Sequence, residues 1–243
     1  MKLRILGAAP GMPTPGLHHA AVAVHACVRT FLLDAGEGVS NRLKQTYLDG
    51  EALDFVAVSH YHPDHVAGLF MLLQMLKLQH RRKPLDLYLP ERVEDMGEIL
   101  RMFYTFPAQL KFPLRMLPME ELHTNEPCVL PVASDHMQGY RDIVRQQAMP
   151  NACKAWSFVV SEQDRRAIYT ADIQSLEPLQ PHLGGTNLLI IDALHPPATE
   201  IAALGAGGIT RIVLTHGLAK GLGTLPEQQA TFEIADETLD YDV

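Results

Sequence analysis

A chain of 243 residues, 47% hydrophobic and 20% charged, is long enough to bury a full core and fits a single domain over 1–243. Its formal net charge of −8 argues against an extensive nucleic-acid-binding surface, because phosphate affinity rests on Lys and Arg that displace counterions. The three scattered cysteines, Cys27, Cys128 and Cys153, suggest neither a disulfide framework nor a CxxC metal knuckle, and no apolar run is long enough to span a bilayer, so the expectation is a cytoplasmic protein with reduced thiols.

Residues 1–6 read as a short strand entering a Gly/Pro-rich loop, 7–19, whose glycines and prolines also break any signal-like apolar core. Two further strands, 20–26 and 29–33, make the start β-rich. The loop carries His18 and His19 side by side, which either overhang a site or sit in water. The third strand ends in Asp34-Ala35-Gly36-Glu37-Gly38, where compact residues let the backbone turn sharply. Asp34 is there either as a turn former bonding its own backbone or as a carboxylate that orients a metal-bound imidazole. Residues 39–48 have the pattern of an amphipathic helix ended by Asp49-Gly50.

After the apolar run Phe55-Val56-Ala57-Val58 comes Ser59-His60-Tyr61-His62-Pro63-Asp64-His65, with four groups able to bind a metal within six residues. Imidazoles two apart on an extended segment point the same way, so His60 and His62 can share one ion. Asp64 and His65, beyond Pro63, can reach a second, and zinc suits such nitrogen and oxygen donors. Residues 66–80 read as an apolar helix between a sheet and another layer, followed by the basic cluster His80-Arg81-Arg82-Lys83 and a strand at 85–89. From 91 to 122 the pattern loosens into Met and Phe residues interrupted by Pro107, Pro113 and Pro118, which fits a lid, a homodimer contact or ordinary core.

The strand at 128–133 closes on Ser134-Asp135-His136, with Gly139-Tyr140 just beyond. A lone histidine after a strand is ordinarily structural, but an ion held by His60 and His62 needs a third protein ligand. A hairpin, 155–161 and 166–170, leads to Asp172, which either caps a following turn or bridges two cations about 3.5–4 Å apart. A buried strand at 187–191 runs into Asp192-Ala193-Leu194-His195-Pro196-Pro197, then a helix-like 198–204 and a glycine-rich break. His195 is either an acid for the leaving group or an inert loop residue. The strand at 209–214 ends in Thr215-His216-Gly217, and His216 would complete the set around a second ion; the tail, 231–243, reads as two short strands.

His60-Tyr61-His62-Pro63-Asp64-His65 resembles the HxHxDH motif of the metallo-β-lactamase superfamily, and the resemblance extends along nearly the whole chain. Asp34 to Gly38 is similar to the family's first motif, His136 matches its third metal-binding position, Asp172 its bridging aspartate, and Leu214-Thr215-His216 the context of its last ligand. The resemblance implies an α/β fold, a four-layered αββα sandwich, with the ligands on loops at one edge and Asp34 behind a ligand histidine. The overall pattern looks most like the ribonuclease Z-like branch, including the cyclic phosphodiesterases of phosphonate metabolism. The first loop of that branch borders the active site, which favours His18 and His19 as substrate contacts, and Tyr140 joins them as a candidate. There are departures. Ile191 stands where tRNA-processing members have the histidine of a His-Glu-Ala-Thr box, no long Gly- and Lys-rich arm is present, and the phosphodiesterases' Pro-His-Pro-Thr-His element is here Pro196-Pro197-Ala198-Thr199-Glu200.

His60, His62, His136, Asp64, His65, His216 and the bridging Asp172 leave positions open for solvent around two ions, taken as zinc with manganese or iron as alternatives. Two cations would make a shared water acidic enough to supply a bridging hydroxide near neutral pH. The expected function is therefore metal-dependent hydrolysis, foremost of a small-molecule or short-nucleotide phosphodiester, with Asp64 and His195 as catalytic groups and no membrane partner. Hydrolysis of a carboxylic ester, thioester or lactone is an alternative, and so is a binding protein whose metals only fix the loops.

Overall fold

The computed structural model describes residues 1–46 and 48–243. Thirteen strands among them form two sheets. The first is built from β1 (Lys2–Gly7), β2 (Ala21–Ala26), β3 (Arg29–Leu33), β4 (Phe55–Ala57), β5 (Leu85–Leu89) and β6 (Leu114–Pro118), in that order, with β13 (Asp240–Asp242) returning to pair beside β1. The second orders β12 (Phe232–Ile234), β11 (Arg211–Thr215), β10 (Leu188–Asp192), β9 (Arg165–Tyr169), β8 (Trp156–Glu162) and β7 (Val129–Ala133). Each sheet starts as an antiparallel meander, β1-β2-β3 or β7-β8-β9, and continues in parallel from its third strand. Parallel strands require crossovers, so helices cover the outer faces.

The period-two alternation of each strand separates three cores. Leu3, Ile5, Val22, Val24, Phe31, Leu33, Phe55, Leu188, Ile190 and Val213 face inward and fill the space between the sheets. Their neighbours Leu6, Ala23, Leu32 and Val56 face outward onto α1 (Val39–Gln45), α3 (Gly68–Leu78) and α4 (Val93–Met102), through Leu43, Leu69, Leu72, Leu76 and Leu100. On the far side Leu189, Ile191, Ile212 and Leu214 meet Leu183 and Ile201 of short helices. This is the expected αββα layering.

Several boundaries differ from the sequence reading. The first helix ends at Gln45, and position 47 of the expected 39–48 helix lies outside the described residues. The apolar helix expected over 66–80 is two elements, α2 (Pro63–Val66) and α3, joined at Ala67. The joint follows from a close approach: a Cβ on Gly68 would lie 1.9 Å from the Gly36 carbonyl oxygen, and one on Gly36 would lie 2.2 Å from that of Asp64. The loose segment 91–122 packs as core, placing Met96, Leu100, Leu110 and Phe112 in the outer layer and Met119 and Leu122 between the sheets. Met102, Phe103 and Tyr104 remain exposed. The two tail strands join different sheets. No helix among the described residues is long and apolar enough to cross a membrane.

Candidate metal centre

Parallel strands deliver their C-terminal ends to one edge of the sheets, and the segments following β3, β4, β7, β9, β10 and β11 all present polar side chains there. His60 and His62 occupy the extended segment after β4, and Pro63 opens α2, which carries Asp64 and His65. Asp34 (φ 63°), Ala171 (φ 47°) and His216 (φ 64°), which follow β3, β9 and β11, adopt left-handed conformations without being glycine. Such residues cost about 1–3 kcal/mol each and persist where surrounding contacts hold them. For His216 one such contact is its N–H bond to the Ala8 carbonyl at 3.0 Å.

Two groups of donors result. In each, the atoms lie within 4.8 Å of one another: His60, His62, His136 and Asp172 in one, Asp64, His65, His216 and Asp172 in the other. Asp172 belongs to both. Its Oδ2 is 3.8 Å from His60 Nε2, 3.5 Å from His136 Nε2 and 3.3 Å from His216 Nε2, while its Oδ1 is 3.1 Å from His65 Nε2. Asp64 Oδ2 stands 3.6 Å from His65 Nε2 and 3.8 Å from His216 Nε2. A third group joins Asp172 with Asp192 and His195. The seven residues expected as ligands are thus brought together.

The buried carboxylate of Asp34 holds the arrangement from behind. Its Oδ1 accepts the Ser59 N–H at 2.7 Å, and its Oδ2 accepts the Ser59 hydroxyl at 3.0 Å, His65 Nδ1 at 2.8 Å and the Tyr169 hydroxyl at 2.9 Å. The bond to Nδ1 leaves His65 Nε2 facing the centre, and the bond from Tyr169 ties the first sheet to the second. Asp192 acts similarly on His195, accepting Nδ1 at 2.8 Å and the backbone N–H groups of Leu194 and Ile173 at 2.9 and 3.1 Å. The His195 ring lies 5.0 Å from that of His136 and 5.3 Å from that of His216.

Burial dominates the electrostatics. It holds His60 well below the usual imidazole range, helped by the neighbouring His65, lowers His62 and His216, and pushes His136 down to about 4. These four rings are therefore neutral, as metal ligands must be. Burial also opposes charge on His65 and Asp172, but each is the other's counterion: with Asp34, Asp172 holds His65 well above its usual range, and His65 holds the Asp172 carboxyl well below its own. His195 is raised mainly by its hydrogen bond to Asp192.

Three atoms at the middle, His60 Nε2, His65 Nε2 and Asp172 Oδ1, are buried without a hydrogen-bond partner. The 3.1 Å approach of His65 to Asp172 is an ionic contact lacking hydrogen-bond alignment. Buried nitrogen and oxygen atoms left open in this way, from imidazoles and a carboxylate, fit divalent cations, whose binding would take the place of the proton on His65.

The remaining candidates fall differently. Tyr140, 46% exposed, stands at the rim with its ring 5.5 Å from that of His62. His18 is committed to Glu237, which takes its Nδ1 at 2.8 Å and its N–H at 2.9 Å. His19 is buried, with Glu37 Oε2 3.6 Å from its Nδ1, and belongs to none of the donor groups. Sequence reasoning passed over Ser59, Tyr169 and Asp192. The three-residue spacing from Asp192 to His195 was a usable signal; Tyr169, bonded to a residue 135 positions away, had none.

A family model described as the beta-lactamase superfamily domain matches residues 29–223. Ribonuclease Z from Salinibacter ruber is 34% identical over 119 residues, which are 49% of this chain and 36% of that protein, so the match spans little more than a third of that relative's length. Among solved structures, the metallo-beta-lactamase fold protein YhfI from Bacillus subtilis aligns with a TM-score of 0.75 at 19% identity over 99% of this chain and 98% of that one. Human tRNase Z, short form, aligns with a TM-score of 0.73 at 19% identity over 100% and 99%.

Proposed function

The chain belongs to the beta-lactamase superfamily, and from that premise we propose that it is a metal-dependent hydrolase of phosphodiesters, acting as a single domain over 1–243. The observation that carries this reading is the sharing of Asp172 between two groups of buried donors, three of whose atoms have no partner of their own. In this reading His60, His62 and His136 hold one cation, Asp64, His65 and His216 a second, and Asp172 both. Zinc is the proposed ion, because imidazole with carboxylate suits it; manganese or iron would use the same donors. Such a pair would supply Lewis acidity toward water and toward a phosphoryl oxygen.

The chain's own residues do the rest. Asp34 fixes the tautomer of His65 and, through Ser59, the start of the His60 turn. Asp64 completes the second donor group and stands beside the reacting atoms as a catalytic carboxylate. Asp192 holds His195 by Nδ1 and raises its affinity for a second proton, so the Nε2 proton of the imidazolium is available to a departing alkoxide. Tyr140 at the rim is the proposed substrate contact, while His18 and His19 act through the loop they anchor. Three free thiols favour a cytoplasmic setting. A net charge of −8 favours a small-molecule or short-nucleotide substrate over long nucleic acid.

The test is metal analysis beside a substrate panel. Purified protein is expected to hold about two ions per chain and to hydrolyse bis(p-nitrophenyl) phosphate in preference to thioesters or lactones. Asp172→Ala should lose metal and about 10³-fold or more in kcat. Preference for a thioester would reassign the substrate class, and metal without any hydrolysis would leave a binding protein.

A further inference from the structure

At the end of the sandwich away from the metal edge, two free cysteines meet. Cys27 (φ 51°) and Val28 (φ 58°) form the two-residue turn between β2 and β3, a left-handed pair that ordinarily calls for Asn-Gly. The Cys27 thiol donates to the Ser161 carbonyl at 3.6 Å, and the Ser161 N–H donates to the Cys128 carbonyl at 2.9 Å. Both cysteines therefore bear on Ser161, and the Cys128 side chain packs against the core between the sheets, on the side the Cys27 turn approaches. Glu162 fastens the turn to β8 by accepting the Cys27 N–H, and it pairs with the Met1 ammonium at 3.0 Å. Cys27 thus belongs to the first sheet and Cys128 to the second, each about one strand length, ~17 Å, from the metal edge.

We propose that Cys27 and Cys128 are an oxidisable dithiol that closes to a disulfide between the two sheets in the presence of glutathione disulfide. A disulfide joins Cα atoms about 4.4–6.8 Å apart, a span that suits two side chains converging on one residue, Ser161, from facing sheets. The Cys27 thiolate, on the more open turn, attacks one glutathione sulfur and expels a glutathione thiolate. The Cys128 thiolate then attacks Cys27 Sγ and expels the second. Two electrons and two protons pass from the cysteines to two reduced glutathiones. Burial holds the Cys128 thiol up to about 12, and its neighbour Cys27 adds to the effect. Closure therefore quickens with pH, about tenfold per unit while Cys128 remains mostly protonated.

The experiment treats the full chain with glutathione disulfide at mildly alkaline pH, alkylates the remaining thiols and maps tryptic peptides by mass. The expected product is a cross-linked pair carrying Cys27 and Cys128, lighter by two hydrogens and released by dithiothreitol, formed equally in Cys153→Ser. Tm should rise by about 5–15 °C on closure, because the bond joins distant segments. Cys128→Ala should stop at glutathione on Cys27. A glutathione adduct that persists on Cys27 of the unaltered chain, a cross-link through Cys153, or a bond between two copies would overturn the proposal.

Discussion

The two ends of the sandwich handle their polar groups in opposite ways. At the metal edge, His60, His65 and Asp172 are buried with donor atoms that no protein hydrogen bond satisfies. At the far end the charges are matched: Arg29 bonds both Glu126 and Asp54, and Asp54 also accepts the Thr30 N–H at 2.8 Å and pairs with Lys83 at 3.0 Å. A buried polar atom left open costs about 1–3 kcal/mol, whereas a partly exposed ion pair returns about 0–1 kcal/mol. The far end is self-contained and contributes little; the metal edge is costly until something binds it. Cations there should therefore add to folding stability as well as to chemistry.

That contrast can be broken by mutation. The largest effect on stability is expected for Asp34→Ala, which strands three side-chain donors and one backbone N–H in the interior. Urea unfolding should show a loss of about 3–5 kcal/mol, and zinc titration a 10–100-fold weaker affinity; an unchanged midpoint would mean the carboxylate is not the support described. Next comes His195→Ala, expected to lower kcat by ~10²-fold or more on substrates with poor leaving groups while leaving metal content intact. The deficit should shrink for p-nitrophenolate, which leaves without a proton, and an equal deficit on both would remove His195 from proton transfer. Tyr169→Phe takes away one of Asp34's partners and should cost about 1–2 kcal/mol with both ions retained. The smallest effect belongs to the far end. There Arg29→Ala should cost under about 1 kcal/mol in thermal unfolding, since its side chain is 41% exposed, and metal binding should not move.

The metal edge was legible in the sequence wherever a donor sits just past an apolar strand, because a short strand, a compact turn and a metal-binding side chain together leave a local mark. His60 to His65 read that way from the residues alone, whereas for His136, Asp172 and His216 the family resemblance pointed to the metal role. What could not be read depends on distant pairings. Tyr169 closes on Asp34 from the other sheet, and Glu237 pins the first loop by accepting the Ala8 N–H at 3.1 Å and engaging His18. Neither contact alters the periodicity around it. The layers were legible through alternation, since Phe31, Leu32 and Leu33 face opposite cores in turn. The break at Ala67 was not, for although Gly68 follows it, the reason for that glycine is the Gly36 backbone from a distant segment lying against it. The 91–122 segment stayed open between lid, homodimer contact and core because its prolines interrupt the pattern, and they fall where strand and helix ends fall.

The contact between Gly36 and Gly68 carries one more consequence. The spacing between the Asp34 turn and the helix that bears Asp64 and His65 is gauged by main chain lying directly on main chain. No rotamer can be adjusted there to absorb an added atom, so even a methyl group at either position would wedge the two segments apart and carry that displacement straight into the donor cluster. The centre's tolerance for error is thus set at two positions that contribute no functional group to it.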